Sequence, residues 1–304
     1  MIATVEDTTR QLLAGVTRSK GVAYLVLDSI APAPIQRTLV PVAGWSGTLA
    51  RMPRRLCVGR FHLGGGGAEP CPDRAEVPGA FRECFACRSF NGFNPAFDRV
   101  DPSTLSPQQK RYNARPHAVY LAHFGGAVVK VGMSRTQRIP RRLVEQGARA
   151  GVRLAETEDA WAARSIEVAV RGTGIPEVVH DVTKRKRLRE PFDVAAAEAS
   201  LLERAEALRS DLGLSRPPHE LVPLRDAHLG GRHLRFPLVD LTDERPLCIS
   251  GTAVGLIGKV LVTEQRGLHF AASLTRFIGH VVEHSAHPRR NPMPAGAGQL
   301  SLLG

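Results

Sequence analysis

No apolar run in this sequence approaches the roughly 18 residues that a membrane-crossing helix needs; the stretch 22–27 is far too short. The first 30 residues lack a basic head, a long apolar segment and a small-residue cleavage site, so export is not expected and the cytoplasm is the default compartment. Acidic residues are scarce beside basic ones, 29 against 41, which leaves +12 over 304 residues. That deficit disfavours cationic partners and favours a polyanion, foremost nucleic acid, DNA more than RNA. The alternative is a set of arginines spread over solvated faces. A phosphate-binding loop is also missing. In 251–260, six residues separate Gly251 from Gly258 and Val260 replaces the required Ser or Thr. Cysteine is sparse too, with five in all, but four of them fall between positions 57 and 87.

Those four, Cys57, Cys71, Cys84 and Cys87, are spaced C-x13-C-x12-C-x2-C. A cytoplasmic chain does not need disulfides, so clustered thiols point to a metal. Four thiolates suit tetrahedral zinc, and Cys84-Phe85-Ala86-Cys87 can wrap an ion as a knuckle. The segment between, LGGGGAEPCPD, is too poor in apolar residues to bury a core, so a metal crosslink would give it order. With every ligand position filled by protein the site would be closed and structural. Reduced, unliganded cysteines, and His62 in place of one thiolate, remain open alternatives.

Along the chain, 5–15 suggests a short amphipathic helix, and 21–28 and 37–42 read as strands. Residues 90–116 are polar and Pro-interrupted, with a short helix over SPQQKRY. The run 193–212, rich in Ala, Leu and Glu, is a helix that Gly213 is placed to end. Beyond Pro217-Pro218, four apolar or alternating runs (234–241, 247–254, 256–263 and 268–274) suggest an all-β unit. A small barrel closed by the N-terminal strands is one arrangement open to it. Cys248 reads as a core residue, and His280, His284 and His287 as a strand end followed by a tail.

The organising stretch is 117–148. Two β-branched runs flank Gly125-Gly126, the pattern of a β-hairpin. The second run leads through Gly132 and Ser134 into a segment with Pro140, tolerated in a first helical turn, and then Arg141-Arg142-Leu143. A third strand over 152–157 and a helix over 158–171 follow. Ala118-Val119-Tyr120 and Lys130-Val131-Gly132 resemble the two motifs of the GIY-YIG nuclease superfamily, with Ala118 in place of its first glycine and Lys130 in place of its second tyrosine. The resemblance implies a catalytic role for Tyr120 (orienting or activating water), for Arg142 or its neighbour Arg141 (phosphoryl contact) and for Glu167 (a Mg²⁺ or Mn²⁺ ligand). Lys130, beside Tyr120, is expected to favour its phenolate. Lys130, Ser134, Arg135, Arg138 and Arg141, with Lys184, Arg185, Lys186 and Arg187 of the densest basic run, are candidate phosphate contacts. The cysteines, VYLA, VKVG, the Pro-Arg-Arg helix ending in EQGA, and HDVTKRKRLR together resemble one uncharacterised bacterial and archaeal family with such a core.

The tail, HPRRNPMPAGAG then QLSLLG, has a disordered composition. Its Gln299, Leu300, Leu302 and Leu303 resemble the peptide by which bacterial replication and repair proteins dock on the DNA polymerase sliding clamp. The sequence therefore implies an α+β chain with five parts: an N-terminal β-rich segment (1–56), a zinc module and linker (57–116), a GIY-YIG-like core (117–215), a β-rich domain (216–288) and a tail (289–304). It implies a protein that acts on DNA in replication or repair as a metal-dependent nuclease. A non-catalytic nucleic-acid-binding module and a clamp-binding adaptor are the alternatives.

Overall fold

A computed structural model describes residues 8–30, 34–61, 68–79, 81–91, 103, 105, 107–218, 220–224, 227–230 and 232–292. The chain forms two units, one of 1–60, 69–87 and 232–304, the other of 61–68 and 88–231. The class is α+β.

The first unit begins with β1 (Thr8–Ser19), β2 (Val22–Ser29), β3 (Arg37–Pro41) and β4 (Ser46–Arg55). Where a short helix is expected over 5–15, the described part of that stretch is strand. Its two central leucines give the reason. Leu13 belongs to the large core of the unit, whereas Leu12 packs with Leu56 and Val281 in a separate cluster. Adjacent residues pointing to opposite faces is strand geometry; on a helix they would lie only about 100° apart. Hydrogen-bonding partners on each side, β2 and a strand near the C-terminus, override the local helical pattern. The short strands β5 (Arg60–Phe61) and β6 (Ala68–Glu69) pair with each other, and α1 (Phe85–Asn91) follows.

The second unit contains α2 (Pro107–Asn113), β7 (His117–His123), β8 (Val129–Arg135), α3 (Ile139–Gln146), β9 (Ala150–Thr157), α4 (Ala160–Gly172), α5 (Asp181–Leu188) and α6 (Val194–Leu212). Its sheet is antiparallel in the order β8-β7-β9. Every residue of the central strand is buried, and its two faces serve different cores. Val119 and Leu121 pack with Ala163, Val170, Leu201 and Leu208 of α4 and α6, while Ala118, Tyr120 and Ala122 pack with Ile139, Leu143 and Val144 of α3. Caps fix the helix ends. The Asp159 carboxylate accepts from Ala162 N at 2.8 Å at the start of α4, and Asp193 does the same for Ala196 N at 3.1 Å at the start of α6. Gly147 and Gly213 close α3 and α6 in the left-handed conformation. Buried Arg209 of α6 donates to the carbonyls of Leu154 (3.0 Å) and Arg153 (2.7 Å) and to Glu220, which binds the following segment to β9. Val222 and Leu224 are consequently buried here, so this unit continues past Pro217-Pro218.

The chain then adds β10 (Leu238–Asp240), β11 (Cys248–Ile257), β12 (Val260–Gln265), β13 (Leu268–Ser273) and β14 (His280–Ser285) to the first unit. The resulting nine-stranded sheet runs β10-β13-β12-β11-β4-β14-β1-β2-β3. Among the described residues β3 and β10 do not pair, so the sheet is open rather than a closed barrel. His280 and His284 are spent on structure: one ring bonds the Met52 carbonyl at 3.0 Å, the other accepts from Trp45 Nε1 at 3.0 Å.

Candidate functional site

The site is built outward from Tyr120, which lies opposite Gly132 in the β7–β8 ladder. A Cβ at position 132 would sit 2.5 Å from Tyr120 Oη and 2.6 Å from Cζ, so only glycine lets the phenol ring lie across β8. Gln146, at the end of α3, donates from Nε2 to Tyr120 Oη at 2.8 Å, while its own Oε1 is buried with no hydrogen-bond partner. Arg142, one turn earlier and exposed, is close enough to the phenol to favour its ionised form. Lys130 Nζ donates to the Glu177 carbonyl at 2.9 Å and lies 6.0 Å from the Tyr120 ring centroid. Lys184 reaches in from α5, donating to the Gln146 carbonyl at 3.0 Å above the Phe124 ring.

The electrostatics follow from this crowding. Burial, aided by the charges of Arg142 and Lys184, pushes the Lys130 ammonium down to about 8, against the opposing pull of Glu167 and Glu177. Burial also raises the Tyr120 phenol, with Arg142 and Gln146 only partly offsetting it. The expected phenolate therefore does not arise: desolvation outweighs the neighbouring cations. Glu167 is 6 % exposed and accepts from Arg164 Nη1 at 2.6 Å. Burial raises its pKa while Arg164 lowers it. Arg164 also pairs with Glu177 at 3.0 Å, and Arg171 does so at 3.3 Å.

Tyr120, Arg142, Glu167, Lys130 and Lys184 are thus brought within electrostatic reach of one another, but the other sequence candidates go elsewhere. Arg138 and Arg141 clasp the two oxygens of Glu145 at 3.0 and 2.8 Å. Ser134 is buried in β8, and the Arg135 guanidinium lies 5.6 Å from the Tyr112 ring centroid. Within the basic run, Arg185 is buried against Asp181 at 3.3 Å and Arg187 donates to both oxygens of Glu190 at 2.9 Å. Lys186 is exposed, so the run forms no single stripe. Gln299, Leu300, Leu302 and Leu303, like His62, lie outside the described residues. Sequence reasoning missed Gln146, Arg164 and Glu177 as members of the cluster. Helical spacing carried a signal for the first two, since Gln146 follows Arg142 by four positions and Arg164 precedes Glu167 by three. Nothing local marks Glu177.

The four cysteines converge at a second place. Their sulfurs all lie within 4.8 Å of one another, with Cys71 and Cys84 at 3.9 Å. A tetrahedron with metal–sulfur bonds of 2.3 Å has edges of about 3.8 Å. Cys57 Sγ accepts from the amides of Cys84 (3.2 Å) and Gly59 (3.4 Å), donors that favour a thiolate. Burial nonetheless pushes the Cys57 thiol up and the Cys87 thiol to about 11, so it is a bound cation that would hold these groups deprotonated. The surrounding core is tiny: among the described residues, Val77 is its one buried apolar residue besides Cys57, Cys71 and Cys87. Donor type, spacing and the lack of an apolar core all fit a metal that organises this segment, and four thiolates are the set that zinc prefers.

The fold and the site together define a three-stranded antiparallel core flanked by helices, with a cation cluster at Tyr120. A family model described as Protein of unknown function (DUF2797) matches residues 105–244, the stretch that carries this cluster, and the chain is similar to that uncharacterised family there. No curated protein and no solved structure matches the chain.

Proposed function

We propose that this protein binds nucleic acid, DNA above all, and that the core grips the phosphate backbone at Lys130, Arg142 and Lys184 around Tyr120. One observation carries the reading: Lys130 is partly buried beside the Tyr120 ring, and burial together with repulsion from Arg142 and Lys184 depresses its pKa to about 8. Its nearby carboxylates, Glu167 and Glu177, both pair with Arg164. Cations kept together against their own repulsion, one of them the exposed Arg142, await an anion. The overall charge of +12 favours the same kind of partner. The four-cysteine segment holds structural zinc in this reading, and the peptide at 299–303 docks the protein on the sliding clamp.

A second reading is metal-dependent phosphodiester cleavage. It is favoured because Tyr120, Arg142 and Glu167, which the GIY-YIG resemblance places in a nuclease site, are members of one cluster. It stands second because Glu167 is buried and already neutralised by Arg164, a poor donor set for Mg²⁺ or Mn²⁺.

The test is binding and cleavage of labelled single-stranded, forked and duplex DNA, in EDTA and in Mg²⁺ or Mn²⁺, by the intact protein, Lys130→Met and Glu167→Gln. Gln is chosen because Ala would leave Arg164 buried without its carboxylate. Binding in EDTA that Lys130→Met weakens about tenfold, the effect of losing one buried charge contact, with no cleavage, is the expected result. Cleavage abolished by Glu167→Gln would replace the first reading with the second. Absence of binding to any DNA or RNA at low salt would remove both.

A further inference from the structure

Away from the Tyr120 cluster, the first unit gathers five arginines around the second half of β4. Arg51 and Arg55 lie on that strand. The Arg51 amide donates to the Leu247 carbonyl at 2.9 Å, two residues from Arg245, and Arg51 Nη1 donates to the Arg276 carbonyl at 3.4 Å. Arg55 donates to the Phe81 carbonyl at 2.6 Å, and Arg82 to the Thr275 carbonyl at 3.2 Å, so the pair Phe81-Arg82 links β4 to the short turn 274–276. Arg245 donates to the Glu244 carbonyl at 2.8 Å. Four of the five guanidinia thus bond neutral carbonyls, which position a charge without cancelling it. Among the described residues, the carboxylate paired with the set is Asp243, 3.3 Å from Arg276. Arg54, next to Arg55, shows the ordinary outcome: it pairs with Glu76 at 2.9 Å. Burial, and then the charges of Arg245, Arg276 and Arg55, lower the Arg51 guanidinium from its usual value. Beside these cations the Phe81 ring is 56 % exposed.

We propose that these arginines and Phe81 form a contact surface for single-stranded nucleic acid, a different one from the phosphate grip at Lys130 in the second unit. A guanidinium presents a planar fork of donors that matches a phosphate, and several in one patch suit a chain of phosphates better than a single anion. The exposed ring beside them can stack a base, which an unpaired strand offers and a duplex keeps within its own stack. Carboxylates on a protein would match the charge, but a strand supplies charge and a flat base together. This surface presumes that the protein's partner is nucleic acid. It adds its contacts to those of the core, so the intact protein should show a steeper salt dependence than the core alone would give.

The test is fluorescence anisotropy of a short labelled single strand of mixed sequence, and of its duplex, with the intact protein between about 50 and 200 mM salt. The double variant Arg245→Gln/Arg276→Gln, Phe81→Ala and Lys130→Met are titrated beside it. Arg245 and Arg276 are exposed, and the Arg276–Asp243 pair is a surface one that adds little to stability, so the double variant is expected to fold. Loss of two phosphate contacts should make the slope of log binding constant against log salt shallower by about 1.4 on the single strand. Phe81→Ala should weaken single-strand binding by about fivefold or more, the loss of one stacked base, while leaving that slope and duplex binding unchanged. Both effects together support the surface, whether or not Lys130→Met weakens binding; either effect without the other overturns it. If Lys130→Met weakens binding while the other variants bind as the parent does, the surface is refuted and the core grip stands. If the parent binds neither oligonucleotide, the surface and the core grip fail together, and an acidic protein becomes the partner that the arginines fit.

Discussion

Lys130 shows how one side chain can cost stability and serve binding. Its pKa in the folded protein, about 8, lies below the ordinary value of 10.5, so between those pH values the unfolded chain carries a proton that the folded chain has shed. Stability therefore rises as pH climbs from 8 to 10.5, and at pH 7 the buried charge opposes folding. Lys130→Met should gain on the order of 2 kcal/mol at pH 7 after allowance for solvent screening. Chemical denaturation across pH should show that gain vanishing near 10.5, the ordinary value of the group, while DNA binding is weaker in the variant below pH 8, where the parent carries the charge. Binding by the parent should fall as pH passes 8, because the cation itself is lost. Gly132 is the complementary case. An added Cβ would meet the phenol at 2.5 Å, so Gly132→Ala must displace the ring and break its bond to Gln146. A loss of about 1–3 kcal/mol is expected, typical of overpacking. Tyr120→Leu in the same chain should recover part of it in a double-mutant cycle.

Among the elements, the four-cysteine segment depends most on a single bond set. Among the described residues, Val77 is its one buried apolar residue besides Cys57, Cys71 and Cys87, too little core to hold it by itself. Purified protein should carry one zinc per chain. Cys84→Ser, or a strong chelator, should remove the metal and open 57–87 to trypsin at Arg74 and Arg82 while the far-UV signal of the helices at 160–212 persists. A metal-free protein with unchanged cleavage would refute the assignment. α5 makes a different point. Its basic run is dense in sequence, but a helix sends consecutive side chains about 100° apart. Lys184 thus reaches Gln146, Arg185 goes inward to Asp181 and Arg187 turns to Glu190. The run could be read as cationic from composition alone; the one member that joins the cluster could not.

For the molecule as a whole, the charge of +12 matters through its salt dependence. If Lys130, Arg142 and Lys184 make the core's phosphate contacts, the logarithm of the binding constant should fall with log salt at a slope of about −2 to −3. Arg142→Ala should make it shallower by about one. A steeper parent slope would mean that the scattered surface arginines also bind. The first unit joins the two ends of the described chain, since β1 lies between β2 and β14. Deleting residues 1–19 would bare two strand edges at once, so an insoluble product is expected in a pelleting assay. Deleting 299–304 should leave solubility intact and abolish retention on immobilised sliding clamp.

What could be read locally was read well. Gly125-Gly126 between β-branched runs gave the hairpin, Pro140 and Gly147 bracket α3, and Asp193 and Gly213 bracket α6. The cysteine spacing gave the cluster. These features depend on residues a few positions apart, where periodicity, caps and turn geometry decide the outcome. Three others required the folded chain: β1 as a strand, the burial of Tyr120 and the Arg164 partner of Glu167. In each, the deciding term is a hydrogen bond or a desolvation set by packing, and β1 shows how remote the partner can be: its Leu12 faces Val281, and no window along the sequence contains both.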